Sequence, residues 1–368
     1  MCTTLALCEA LAAQASAAVA ADITPAIITI RYYLLNSGAI RLKILVASKI
    51  DPTALAWLRS NHDTLVMPSS PAATLSQLIA DRDVLIFRSG VELPREVLDR
   101  APGLRLLIRA GSGLDNIDSD VLQTRGIRLL RIPGPGAQSV AELSFALMLA
   151  LARRLREADE SMRAGLWLKS QLEGRTLADK TLGIVGLGNI GSRTANMGVA
   201  WGMRVVGCVA RPTSARATDF AGRSIQLAGL DDVLSQSDFV SIHVPRSPET
   251  IDLIGERELG LMRPTAILVN VARGGIVNEG SLRAALVEGR LAGAGLDVHV
   301  AEGDGLRSPL ADLPNVLLTP HVGATTLDAQ SAIGEEIVRI VTEAAGEIDA
   351  TPVPQITEPT DSTPAVAG

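Results

Sequence analysis

Between residues 41 and 138 the chain alternates short, nearly uninterrupted apolar runs with stretches of helical periodicity. The runs fall at 42–47, 64–67, 84–88, 104–110 and 127–132. Continuous apolar runs suit parallel strands covered on both faces, whereas a strand with one wet face alternates. Five such strands with crossover helices predict a small doubly wound sheet. A second alternation begins at Thr181, with strands predicted at 182–185, 204–209, 239–243, 267–271, 295–298 and 316–318, and a weaker one near 225–227. Between the two sets lies one long predicted helix, from about 139 to 165, with Leu143, Leu147, Leu151 and Leu155 on one stripe. A last helix is predicted over 327–343; periodicity leaves open which sheet it covers.

The fold class is therefore α/β, with two doubly wound parallel-sheet domains: 41–138 together with 319–346, and 139–318. Residues 1–40 are expected to be a disordered extension, and the Pro-, Thr- and Ala-rich 347–368 a disordered tail with no regulatory domain after it.

A length of 368 residues suits two domains, and 47% hydrophobic with 20% charged residues suits a well-buried globule. Aromatics are 2%, so the core must be aliphatic. The net charge of −6 argues against a nucleic-acid surface. No apolar run reaches the roughly 18 residues a bilayer needs. Ala18-Val19-Ala20 resembles a cleavage site, but no Lys or Arg precedes Arg31 and Glu9 interrupts the apolar stretch, so export is not expected and a cytoplasmic location is. Cys2, Cys8 and Cys208 are scattered, without metal-ligand spacing, and read as free thiols with no metal.

Gly186-Leu187-Gly188-Asn189-Ile190-Gly191 matches G-x-G-x-x-G between a strand and a helix. The first glycine permits the tight turn, the second lets backbone approach a pyrophosphate, and the third lets helix pack on strand. The helix start then offers free N–H groups to the phosphates. The next strand ends at Val209 and Ala210, with no carboxylate for a ribose diol, and Arg211 follows, with Thr213, Ser214 and Arg216 nearby. NADP(H) is expected to be preferred over NAD(H), whose use stays open.

The run Leu268-Val269-Asn270-Val271-Ala272-Arg273-Gly274-Gly275-Ile276-Val277-Asn278-Glu279 resembles the D-isomer-specific 2-hydroxyacid dehydrogenases. Further matching motifs are Arg109-Ala110-Gly111-Ser112-Gly113-Leu114-Asp115, the glycine fingerprint, His243-Val244-Pro245, Gly295-Leu296-Asp297-Val298 and Thr319-Pro320-His321-Val322-Gly323. The resemblance implies a flavodoxin-like substrate domain beside a Rossmann domain, a small 2-hydroxy or 2-oxo acid as substrate, and a homodimer through the helix after Ser139. It places the family's arginine, glutamate and histidine on Arg273, Glu302 and His321. Arg273 would grip the substrate carboxylate bidentately, His321 would exchange a proton with the substrate oxygen, and Glu302 would orient the imidazole and stabilise its charged form. It adds Arg211, Val244, Pro245, Ala272, Asp297 and Gly323 to the fingerprint as cofactor contacts, and Arg88, Ser89, Gly90, Ser112 and Gly113 to Arg273 as substrate contacts. His243 is expected to be architectural and His62 to lie in a surface turn.

Departures narrow the substrate. Glu302-Gly303-Asp304-Gly305 replaces the family's Glu-Pro, leaving Asp304 as a weak competitor for Glu302. Formate dehydrogenases carry Gln at the Glu302 position and phosphite dehydrogenases a Lys near Ser112; neither is present. Pro133-Gly134-Pro135-Gly136 lacks the asparagines common in phosphoglycerate dehydrogenases, whereas Arg88, Arg109 and Arg153 sit where that subfamily gathers cations. The reading is a phosphoglycerate dehydrogenase-like or hydroxypyruvate/glyoxylate reductase-like enzyme; the alternative is a dinucleotide-sensing scaffold or co-repressor of the same fold.

Overall fold

The computed structural model describes residues 41–67, 72–111, 113–114, 116–210, 222 and 224–350. The expectations for 1–40 and 351–368 lie outside these residues. Two all-parallel sheets, both within one compact unit, Lys43–Val338, carry the fold.

The first sheet has the order β2-β1-β3-β4-β5. Its strands are β1 (Lys43–Val46), β2 (Asp63–Val66), β3 (Val84–Phe87), β4 (Leu106–Arg109) and β5 (Arg128–Arg131). The helices between them are α1 (Pro52–Asn61), α2 (Ala72–Leu78), α3 (Arg95–Leu98) and α4 (Ser119–Arg125). Central β3 and β4 are buried throughout, while the outer β2 and β5 are partly exposed, the pattern of a sheet covered on both faces. Asp51 caps α1 by accepting from the Thr53 and Ala54 amides, with Pro52 in the first turn. Asp118 caps α4, which ends on left-handed Gly126.

Next come α5 (Gly136–Ala152) and α6 (Leu155–Arg163), then the second sheet, of order β12-β11-β10-β9-β6-β7-β8. Its strands are β6 (Thr181–Val185), β7 (Arg204–Cys208), β8 (Ile225–Leu227), β9 (Phe239–Ile242), β10 (Ile267–Asn270), β11 (Gly293–Leu296) and β12 (Val316–Leu318). The intervening helices are α7 (Asn189–Ala200), α8 (Leu230–Gln236), α9 (Glu256–Leu261) and α10 (Glu279–Val287), and α11 (Leu327–Ala350) is the last element described. Alternate strand residues feed two aliphatic cores. Val240, Ile242, Leu268 and Leu296 face one way; Leu182, Ile184, Ile267 and Val269 pack with Phe145, Leu147 and Met148 of α5 on the other.

Four expectations change. The helix predicted over 139–165 is two helices: Arg154 takes a left-handed conformation, φ 51°. The Ala152 carbonyl that would have continued α5 accepts instead from the Arg175 amide at 2.8 Å, and Leu155, counted in the apolar stripe, is 52% exposed. The strand predicted at 295–298 is shifted to Gly293–Leu296, because α5 presses on it: a Cβ at Gly295 would lie 3.1 Å from Leu147 Cβ. Smallness, not apolar bulk, marks that strand. His62 is buried and meets Trp57 edge-on at 5.5 Å, not in a surface turn. The last helix continues past Glu343 to Ala350, so 347–350 are helical. It returns to the first sheet's helices: a Cβ at Gly334 would sit 2.7 Å from Asp51 Cβ and 3.1 Å from Ala54 Cβ.

Candidate active site

Register aligns the ends of five neighbouring strands: Leu318 pairs with Leu296, Leu296 with Asn270, Asn270 with Ile242 and Ile242 with Val185. Residues just past these ends, including His321, His299, Arg273, His243 and Gly186, therefore gather along one carboxyl edge. Ligands of doubly wound sheets bind there, at the point where strand order reverses, here between β6 and β9.

The fingerprint fits a dinucleotide on geometry. Gly186 has φ 97°, and a Cβ there would strike Val244 Cγ1 at 2.7 Å and His243 C at 2.9 Å. At Gly191 a Cβ would overlap the Gly186 carbonyl. Gly188 is the opposite case: among the described residues nothing lies within 4 Å of the Cβ position and no side chain caps α7. Open space before an uncapped helix start is the cradle a pyrophosphate needs. Val244 lies against Gly186; Pro245 O accepts from Thr250 Oγ1 at 2.7 Å. Asn189 accepts from Arg193 at 3.4 Å, and Ile190 joins the core behind the turn. His243 Nε2 meets Ser241 Oγ at 2.9 Å, while Nδ1 is buried with no partner among the described residues. Burial pushes its imidazole down to about 3, so the ring is neutral.

The Arg273 turn is built by Asn270, whose side chain accepts from the Ala272 amide at 3.1 Å and donates to Arg273 O at 3.0 Å. A Cβ at Gly274 would fall 1.8 Å from His299 O, so only glycine lets the turn lie on that backbone. Arg273 Nη1 donates to Ala272 O at 2.7 Å. His321 Nδ1 and Glu302 Oε2 are 2.8 Å apart, and Glu302 Oε1 accepts from the His299 amide at 3.1 Å. Burial opposes ionisation of Glu302, but the hydrogen bond and charge of His321, with the His299 amide, outweigh it and hold the carboxyl below its ordinary value. Glu302, and not Asp304, meets His321. His321 itself sits at φ 53°, a left-handed position uncommon for a histidine.

Asp297, 1% exposed, fixes that backbone. Its carboxylate accepts from Thr319 Oγ1 at 2.6 Å and from the Val322 and Gly323 amides at 2.9 and 2.8 Å, and its carbonyl accepts from the His321 amide at 2.7 Å.

The chain has relatives among known proteins. The family model described as D-isomer specific 2-hydroxyacid dehydrogenase, NAD binding domain, matches residues 145–323. A hydroxypyruvate reductase of Thermotoga maritima is 38% identical over 74% of this chain and 88% of its own. The chain belongs to the D-isomer-specific 2-hydroxyacid dehydrogenase family. A D-3-phosphoglycerate dehydrogenase of Mycobacterium tuberculosis is also 38% identical, over 83% of this chain, but the chain spans only 57% of that protein's length. Among solved structures, the NADPH-dependent glyoxylate/hydroxypyruvate reductase of Sinorhizobium meliloti, in complex with NADP and malonate, superposes with a TM-score of 0.73 at 28% identity, covering 82% of this chain and 93% of its own.

For a member of this dehydrogenase family, the cationic group expected around the substrate is sparser than the sequence suggested. Arg109 is 3% exposed; it donates to Gly113 O at 3.0 Å and lies against the Phe87 ring, so it braces its own loop. Arg153 caps α5 beside Ala152. Ala152 lines a cavity of about 410 Å³ at the amino edge, where Ile267 and Gly293 begin β10 and β11, away from the fingerprint. Arg154, Arg156 and Arg175 of that cavity already bind Glu157 and the Val316 and Thr265 carbonyls. Arg88 remains, beside exposed Ser89 and Gly90. Arg211 and Ser112 lie outside the described residues. Sequence reasoning missed His299, whose Nε2 meets Thr319 O at 3.0 Å, Glu279, which accepts from the Val300 amide at 2.9 Å, and Gln330. Each acts through backbone atoms or a distant partner, which leaves no spacing signal. Among the described residues, no helix is long and apolar enough to cross a membrane and no cluster of potential metal ligands occurs.

Proposed function

We propose that this chain is a 2-oxoacid reductase, a D-2-hydroxyacid dehydrogenase acting mainly towards reduction, in the cytoplasm. The observation that carries the reading is the His321–Glu302 pair on the same sheet edge as an open glycine fingerprint. A bound nicotinamide dinucleotide supplies the hydride that adds to C2 of the oxo acid. Arg273 grips the C1 carboxylate through its planar fork. His321 holds its Nδ1 proton on Glu302, leaving Nε2 to donate a proton to the C2 oxygen as the carbonyl becomes an alcohol. Ionised Glu302 stabilises the imidazolium until that transfer. The test is nicotinamide absorbance with a panel of 2-oxo acids; no turnover on any of them would leave the scaffold alternative standing.

The five-stranded sheet with 319–346 serves as the substrate domain, and 139–318 as the cofactor domain. The substrate is a small 2-oxo acid with a second anionic group, for which Arg88 is the available cation. Comparing phosphohydroxypyruvate with hydroxypyruvate and glyoxylate decides this. NADP(H) is the preferred cofactor: Val209 and Ala210 offer no carboxylate, and Arg211 follows them. One charge-assisted contact to a 2′-phosphate corresponds to about a tenfold preference or more. Equal use of NADPH and NADH by wild type, or an Arg211→Ala variant that keeps the preference, would overturn it. The protein is a homodimer through the α5–α6 region, where Leu155, Met162, Leu166 and Trp167 are all more than half exposed. A monomeric sedimentation profile would count against that.

A further inference from the structure

Arg88 leaves β3 with its backbone amide donating to the buried Ser48 hydroxyl at 2.9 Å. Its guanidinium is half-buried, and burial lowers its pKa below the ordinary arginine value. Among the described residues no carboxylate pairs with it. Arg82, Arg257, Arg263 and Arg283 each reach a carboxylate, whereas Arg204, like Arg88, reaches a glutamine oxygen, that of Gln236 at 3.1 Å. The partner of Arg88 is a neutral amide. Nη1 donates to Gln330 Oε1 at 3.0 Å, and Gln330 Nε2 donates to Ala324 O at 2.9 Å. Only this orientation of the amide satisfies both neighbours; the flipped one would set N–H against guanidinium and oxygen against oxygen.

Ala324 directly follows the segment whose amides, at Val322 and Gly323, are held by the Asp297 carboxylate. One side chain on α11 therefore touches both the Arg88 guanidinium at the first sheet's edge and the loop that carries His321. We propose that Gln330 is a specificity-determining positioning residue: its neutral amide holds the Arg88 guanidinium at a fixed distance from the His321 loop and leaves the positive charge for the substrate's second anionic group. The proposal rests on the two-anion substrate reading above and names what enforces it. A glutamate would fit the same length and hold the same guanidinium, but it would neutralise the cation internally. A half-buried charge without a counter-charge is costly unless a ligand supplies one. The amide keeps the aim and leaves that vacancy to the ligand.

The test compares wild type, Gln330→Glu and Gln330→Leu on phosphohydroxypyruvate and glyoxylate. In Gln330→Glu the ratio of kcat/KM for the two substrates should fall at least about tenfold, the size of one charge-assisted contact, through KM of the phosphorylated substrate and not through kcat. Gln330→Leu, which frees Arg88 without neutralising it, should lose less. In an Arg88→Ala background Gln330→Glu should leave the ratio where Arg88→Ala put it. A residue that only fastens α11 would lower both substrates alike together with Tm; that result, or an unchanged ratio, overturns the proposal. Calorimetric titration with 3-phosphoglycerate against glycolate reads the same charge preference without turnover. Loss of that preference in Gln330→Glu, in a wild type that reduces no 2-oxo acid, would sink the reductase reading and keep this one.

Discussion

The carboxyl edges of the two sheets are built to different standards. On the seven-stranded sheet the strand ends are locked: Gly186 lies on His243, Gly274 on His299, and a buried Asp297 collects Thr319 and the Val322 and Gly323 amides. On the five-stranded sheet the hold on Arg88 is lighter: among the described residues nothing lies within 4 Å of a Cβ at Gly90, Ser89 is exposed, and Arg88 is held by Gln330 Oε1 and, through its amide, by Ser48 Oγ. A geometry that must hold reacting atoms to fractions of an ångström belongs on rigid elements, and choice among substrates is made where the chain is free to vary. Changes to the locked edge should damage every substrate alike; changes to the lightly held edge should alter preference alone.

The largest effect should come from His321→Ala, which removes the proposed proton donor and should lower kcat by roughly 10²–10⁴-fold on every 2-oxo acid. Near-normal turnover would dissolve the distinction between the edges. Arg273→Lys keeps the charge and loses the fork, and kcat/KM should drop about tenfold to a hundredfold, again without regard to substrate. Gly274→Ala tests rigidity itself. Its Cβ has no room beside His299 O, and the strain should lower stability by about 1–3 kcal/mol in a denaturant titration. An unchanged midpoint would mean that the locked edge gives way easily. The smallest effect belongs to the lightly held edge: Arg88→Ala should cut the preference for phosphohydroxypyruvate over glyoxylate about tenfold while kcat on glyoxylate varies little.

The same contrast explains what could be read from the sequence. Strands buried on both faces announce themselves as apolar runs, so most were legible to within two or three residues; motif order singled out Arg273, Glu302 and His321, and of these Glu302 and His321 meet at 2.8 Å. The β11 strand was misplaced because Gly293 and Gly295 are there to admit α5 and Asn315, a tertiary demand that leaves no apolar signal. The break at Arg154 depends on Arg175 reaching Ala152 O from beyond the helix. Arg109 looked like a ligand group because sequence carries its charge and its place at a strand end, but not its burial under Phe87. Gln330 was invisible for a related reason: it lies far along the chain from Arg88.

His243 has one more consequence, for folding in acid. Its ring stays neutral in the folded chain down to about 3, whereas an exposed histidine of the unfolded chain titrates near 6.5. Below pH 6.5 the unfolded chain therefore binds one proton that the native chain refuses, and the native state loses about 1.4 kcal/mol for every further unit until about pH 3. The imidazole packed behind the fingerprint makes the fold a proton-linked equilibrium, tilted towards unfolding as the medium acidifies.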